Sequence, residues 1–226
     1  MPDYKAIHGK NILHVASDLD NAEGEGQIWF NTTSSDYKTI VKVAGAWSTG
    51  ANLNTGRNGG RGAGSSNSAA LCFGGSSNNH ESYNGTSWTE IADLNTVKSN
   101  AVGCGTTTAA LCAMTGTSEE WNGTSWTEGN NLTTSRTEVG STGTQTAGLA
   151  IGNQNGASGI VELYNGTSWT EVGDLTTARG VAGGAGVSTA AIAFGGGPGT
   201  KAETETYDGS SWTEVADLNQ GRYFHG

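Results

Sequence analysis

Five basic residues recur at one fixed place in the sequence. Arg57, Lys98, Arg136, Arg179 and Arg222 each stand ten positions after a tryptophan, at Trp47, Trp88, Trp126, Trp169 and Trp212. Five positions before each basic residue comes Asn52, Asp93, Asn131, Asp174 or Asp217. Five cations brought to equivalent positions could hold an anion such as a carboxylated sugar. The simpler reading is structural: the acids pair with the bases, or the guanidinium groups cap backbone carbonyls between neighbouring units. Other chemistry has less support. His8, His14, His80 and His225 are scattered and read as loop histidines rather than copper ligands. The acidic run from Asp18 to Glu25 has its glycine misplaced for a calcium hand and reads as a solvated linker with at most weak calcium affinity. No catalytic set, metal site or cofactor is expected.

Composition narrows the class. The 226 residues carry a net charge of −10, with 37 glycines, two prolines and seven tryptophans. Apolar residues make up 34% and charged residues 14%, below the usual globular shares of about 45–50% and about 25%. Glycine without a three-residue period excludes collagen, and few leucines exclude a helical bundle. A chain at −10 repels phosphate backbones, so nucleic acid is not an expected partner. No window nears 18 apolar residues, so membrane insertion is not expected. The first ten residues lack the basic-then-apolar layout of a signal peptide. Cys72 and Cys112 occupy matching repeat positions where later copies carry Ala150 and Ala193. A site that accepts Cys or Ala is small and buried, so these read as free core thiols; Cys104 has no zinc-like spacing partner.

Self-similarity is the main signal. Tyr83-Asn84-Gly85-Thr86-Ser87-Trp88-Thr89-Glu90 returns from Trp121 to Glu128, from Tyr164 to Glu171 and from Tyr207 to Glu214, with a weaker copy from Val43 to Ser48. The tryptophans are 41, 38, 43 and 43 residues apart. Each unit parses into four strands. Strand A follows the basic residue, as in Arg179 to Gly184. Strand B is an apolar run: Ala69 to Gly75, Ala109 to Met114, Ala147 to Gly152 and Ala190 to Gly197. Strand C ends at the aromatic, and an Asn-Gly or Asp-Gly turn leads into strand D at the tryptophan. That turn also explains the apparent glycosylation acceptors at Asn84, Asn122 and Asn165. Four-stranded units of about 40 residues predict an all-β β-propeller. Small residues in strands A and B suit the crowded axis. Trp47, Trp88, Trp126, Trp169 and Trp212 suit the wider space between blades. The N-terminal stretches 26–31, 37–43 and 47–53 read as strands B, C and D of a blade lacking strand A, which the C-terminal residues from Arg222 supply. Five blades closed by shared terminal strands are therefore expected, with residues 1–26 as an arm and 27–226 as the propeller. A chain continuing past Gly226 would give six or seven.

An apolar strand ending in glycines, then Tyr, Trp and a basic residue opening the next unit, resembles the kelch repeat over residues 43–226. The Tyr-to-Trp spacing of five and the short period depart from that pattern. The hairpin also resembles the Asp box of sialidase-type propellers, with the glycine one place early. Sialidase chemistry would need an arginine cluster and a nucleophilic tyrosine with its acid partner, and no such non-repeated set occurs. Residues Gly24 to Ser35 resemble a hairpin of tail-fibre and other virion proteins of marine tailed bacteriophages, and the repeated phrase resembles kelch-like arrays of those phages.

These resemblances imply a non-enzymatic structural and recognition module of a virion, in a tail fibre, neck or capsid decoration, made in the host cytoplasm. The arm would dock to the particle. The B–C loops (76–80, 115–118, 153–158 and 197–202) vary most on an otherwise repeated scaffold, which is where recognition is expected. Asn79, His80, Ser118, Asn153, Asn155 and Lys201 are the candidate binding residues there. Expected partners are other virion proteins, a host-surface glycan and further copies of the chain on the particle. Two alternatives remain: an intracellular kelch-type scaffold for protein–protein interaction, and a carbohydrate-active enzyme on a propeller.

Overall fold

The computed structural model describes residues 13–15, 28–33, 35–39, 49–114, 116–136, 139–153, 158–180 and 183–222. The chain divides into two compact units, Met1–Thr49 and Gly50–Gly226, where the sequence placed a boundary after residue 26. The first unit holds β1 (Leu13–Val15), β2 (Ile28–Asn31) and β3 (Asp36–Thr39) in one sheet of that order. The β1–β2 pair is parallel and the β2–β3 pair antiparallel.

The second unit is a β-propeller of four antiparallel blades, each four strands in sequence order. Blade 1 comprises β4 (Arg61–Ser66), β5 (Ala69–Phe73), β6 (His80–Tyr83) and β7 (Trp88–Glu90). Blade 2 comprises β8 (Val102–Gly105), β9 (Ala110–Met114), β10 (Thr117–Trp121) and β11 (Trp126–Gly129). Blade 3 comprises β12 (Gly140–Thr144), β13 (Ala147–Asn153), β14 (Ser158–Tyr164) and β15 (Trp169–Glu171). Blade 4 comprises β16 (Gly183–Val187), β17 (Ala190–Gly196), β18 (Lys201–Tyr207) and β19 (Trp212–Val215). Inner strands of consecutive blades pack together: β4 on β8, β8 on β12, and β12 on β16.

Local sequence explains the strands. The apolar runs form β5, β9, β13 and β17 within a residue or two of their expected bounds. Between strands C and D, Asn84, Asn122, Asn165 and Asp208 each accept two backbone N–H bonds at 2.8–2.9 Å from the residues two and three positions on. The next residue is a glycine in all four, with φ between +89° and +97°, a region where a Cβ is strained. The loop therefore spans four residues, and Tyr83 faces Trp88, Tyr164 faces Trp169 and Tyr207 faces Trp212 in register. The first strands demand small residues where blades converge. A Cβ on Gly184 would lie 2.9 Å from the Ser141 carbonyl oxygen of the neighbouring blade.

Three hydrophobic clusters fill the three spaces between these four blades. Phe73, Ala110, Cys112 and Trp126 join blades 1 and 2. Leu111, Ala113, Ala150 and Trp169 join blades 2 and 3. Ile151, Val161, Ala193 and Trp212 join blades 3 and 4. Trp126, Trp169 and Trp212 are buried, as expected for residues between blades, whereas Trp88 of the first blade is only partly buried. Trp47 lies outside the described residues. All three cysteines are free thiols, and burial pushes Cys104 and Cys112 up to about 12.

Two expectations need correction. Four blades are seen among the described residues, and the expected fifth is not supported. In the first unit, β2 has a strand on each edge, β1 on one side and β3 on the other. The expected strand from residues 223–226 lies outside the described residues. Strand A also begins later than expected, at Gly183 in blade 4 rather than just after Arg179. The intervening backbone serves as a cross-tie: the Arg179 carbonyl accepts the Asn153 N–H at 3.2 Å, and Gly180 pairs with Gly197.

Candidate functional site

The basic residues do not pair with the aspartates. Each turn from strand D into the next blade grips a buried glutamate on that blade's strand C. Glu162 accepts the Thr133 N–H at 2.8 Å, the Thr134 N–H at 3.2 Å, the Thr133 hydroxyl at 2.8 Å and the Arg136 guanidinium at 2.6 Å. Glu205 receives the Thr176 and Thr177 N–H groups at 2.7 and 3.2 Å and Arg179 at 2.5 Å. Glu119 receives the Asn95 and Thr96 N–H groups at 2.7 and 3.1 Å and Lys98 at 2.5 Å. Glu81 receives the Asn54 and Thr55 N–H groups at 2.7 and 3.2 Å and an ion pair from Arg57. All eight charged side chains are at most 2% exposed.

Burial alone would raise the carboxyl pKa values. The N–H groups and the cation outweigh it and hold Glu81, Glu119 and Glu205 below the ordinary glutamate value. Desolvation pulls Arg136 down, with Glu162 opposing. The guanidinium groups also tie carbonyls of the blade they enter: Arg57 binds the carbonyls of Cys72, Gly74 and Asn79, and Arg136 those of Gly152 and Ile160. Carbonyl capping thus occurs, but inside one blade.

The aspartates brace the preceding blade instead. Asp93, Asn131, Asp174 and Asp217 accept the N–H of His80, Ser118, Val161 and Thr204 at 2.9–3.3 Å. Each of these four turns thus bonds backward through its aspartate or asparagine, and the three leading into blades 2, 3 and 4 bond forward as well through their N–H pair and base. The glutamates carried a legible signal: each stands two residues before the aromatic that ends strand C, at Glu81, Glu119, Glu162 and Glu205.

The expected loop residues divide. Asn79 lies in its loop, half-buried, and its carbonyl accepts from Arg57 at 2.7 Å. Lys201 opens β18 and pairs with Glu203 at 3.5 Å, partly exposed. His80, Ser118 and Asn153 are strand residues and are buried. Of these five, only Asn79 and Lys201 are partly exposed, and the other three are buried. Asn155 lies outside the described residues, as does the acidic run 18–25. Arg222, the fifth base, is exposed and makes no ion pair among the described residues. The loops do share a side with the D–A turns: the Leu94 N–H donates to Asn78, Leu175 to Gly159 and Leu218 to Ala202 at 2.9–3.0 Å.

His80 sits in an aromatic cage of Phe73, Trp121 and Trp126, with ring centroids 4.6–5.8 Å away. The indole nitrogen of Trp126 lies 2.9 Å and the Ala92 carbonyl oxygen 3.1 Å from its Nδ1, while the buried Nε2 has no hydrogen-bond partner among the described residues. Burial pulls His80 down to about 4; the Ala92 carbonyl and Asp93 oppose this and Arg57 adds to it. A shallow groove between blades 2 and 3 is lined by Glu120, Glu128, Asn130, Tyr164 and Thr167. The Tyr164 hydroxyl donates to Glu120 there, and burial raises the phenol pKa. The groove is acidic and offers no cation to an anionic ligand. Among the described residues no three His, Cys, Asp or Glu side chains converge as a metal site, and no helix is long and apolar enough to cross a membrane. No protein-family model matches this chain, and no curated protein matches it.

Proposed function

We propose that this chain is a structural and recognition module, non-enzymatic, of a tailed-phage virion, with the N-terminal segment docking to the particle and the B–C loops meeting a neighbouring virion protein or a host-surface glycan. The supporting observation is the contrast between scaffold and loops. Four buried glutamate grips repeat the same two backbone N–H donors and a buried base, while the loops at 74–79 and 197–200, on the side of the D–A turns, differ in sequence. A rigid repeated frame carrying variable loops is a recognition architecture. The virion assignment rests on the resemblance of residues 24–35 and of the repeated hairpin phrase. The same repeat supports a second reading, a kelch-type protein–protein scaffold inside a cell.

Sedimentation separates these readings. The tagged chain, mixed with tailed-phage particles lacking it, is expected to co-sediment, with residues 1–26 protected from protease only in the pellet. A soluble protein partner without particle association supports the intracellular scaffold and overturns the virion reading. Turnover of a glycan, lost on substituting a single non-repeated residue, overturns both in favour of an enzyme.

A further inference from the structure

The turn Asp217–Arg222 is a fifth copy of the glutamate grip, and no glutamate fills it among the described residues. Its frame is built like the others. Asp217 accepts the Thr204 N–H at 3.2 Å, and the Leu218 N–H donates to Ala202 at 3.0 Å. The Arg222 carbonyl accepts the Gly196 N–H at 2.8 Å, as the Lys98 carbonyl accepts that of Gly75 at 2.7 Å. The Arg222 N–H donates to Lys201 at 2.9 Å. Gly221 lets the turn lie tight on the strand start, since a Cβ there would stand 2.5 Å from the Thr200 carbonyl oxygen. In the filled turns, the N–H groups of the two residues after the leucine and the base four residues after it converge on one carboxylate. Here those groups are the N–H of Asn219, the N–H of Gln220 and the Arg222 guanidinium, all exposed and without a hydrogen-bond partner among the described residues.

We infer that Asn219, Gln220 and Arg222 form a ready receptor for a glutamate carboxylate carried on a C–D hairpin of this same repeat type. Two observations choose a hairpin over a free anion. Every filled copy binds a glutamate on strand C. In addition, Asn54 and Asn95, at the position of Asn219, donate their side-chain amides to the carbonyls of Trp88 and Trp126 at 3.0 and 3.1 Å. Those tryptophans open strand D of the blade that supplies the glutamate. Asn219 thus brings the second half of a two-point reading, one contact for the acid and one for the hairpin's tryptophan carbonyl. The N-terminal repeat of this chain does not carry the acid at that register. Counting back seven residues from Trp47, or six for its hairpin one residue shorter, reaches Ile40 or Val41. Two fixed N–H donors with an arginine favour a carboxylate through charge-assisted bonds.

The test uses the full 226-residue chain, 15N-labelled, and three probes: a peptide of sequence 158–171 containing Glu162, the same peptide with Glu162→Gln, and sodium glucuronate. The Glu peptide is expected to give saturable amide shifts at Asn219 and Gln220, and at the Arg222 Nε. The Gln peptide should bind about tenfold weaker or more, as should the Glu peptide to Arg222→Gln protein. Arg222 is exposed, so that variant keeps the blade folded, and unchanged amide positions in β17 and β18 verify this. Absence of shifts at the peptide's solubility limit, or shifts confined to other residues, overturns the proposal. Glucuronate binding as tightly as the peptide overturns the hairpin and leaves a simple anion site. None of these outcomes bears on particle association.

Discussion

Replacing Glu162 by glutamine tests the buried grips most directly. The substitution keeps size and shape and removes one charge. The amide oxygen can still accept the Thr133 N–H, but an amide NH2 then faces Arg136 Nη2 across the former 2.6 Å contact, donor against donor. Arg136 keeps its bonds to the Gly152 and Ile160 carbonyls but loses the carboxylate beside it, with both side chains of the pair at 0% exposure. Breaking a buried ion pair on one side costs about 3–5 kcal/mol. In a domain of this size that lowers the melting temperature by roughly 6–20 °C. The comparison is Glu203→Gln, which breaks the partly exposed Lys201–Glu203 pair at 3.5 Å and should cost about 1 kcal/mol or less. Urea and thermal denaturation followed by tryptophan fluorescence read both. If Glu162→Gln loses no more than Glu203→Gln, the glutamates are not the pins between turn and blade, and the reasoning fails.

Trp169→Ala should destabilise by about 3–5 kcal/mol, because the indole fills the space between blades 2 and 3; a loss under about 1 kcal/mol in urea titration refutes that placement. Trp88→Ala, at a partly buried site, should cost visibly less in the same titration. His80 is held down to about 4 by burial, against an ordinary value of 6.5. The unfolded chain therefore binds the extra proton first as pH falls. Stability from this group is fully present above pH 6.5, declines toward pH 4 by at most about 3 kcal/mol, and changes no further below. A His80→Gln variant should show a flatter stability–pH profile across that window, and an unchanged slope counts against the cage. Cys104 and Cys112, pushed up to about 12 by burial, should resist thiol reagents at pH 8 until denaturant is added, while half-buried Cys72 reacts sooner; rapid labelling of all three in native buffer refutes the buried assignment.

The repeat made much of this fold legible. A blade of four short strands follows from apolar runs of fixed length, an Asn-Gly or Asp-Gly turn that needs positive φ, and an aromatic pair in register. All three are local, so sequence alone placed β5, β9, β13 and β17 and, of the five repeat tryptophans, Trp126, Trp169 and Trp212 between blades. The polar grips were half legible. The bases were found by their spacing, but they were matched to aspartates five residues earlier because those are near in sequence. Their true partners, Glu81, Glu119, Glu162 and Glu205, lie 21 to 26 residues away on the next blade's third strand. Only packing brings those side chains together, and only desolvation makes the pairing compulsory once they meet. The loop residues fail for a related reason. His80, Ser118 and Asn153 look like loop polar residues in sequence, yet strand C starts earlier, or strand B ends later, than the apolar pattern implies. Blade number was likewise a tertiary decision: periodicity counts units, but strand pairing decides which of them become blades. Sequence determined what each unit can do with its nearest neighbours. Tertiary structure decided which charges are buried together, because exclusion of water is a property of the assembled blades and of no single repeat.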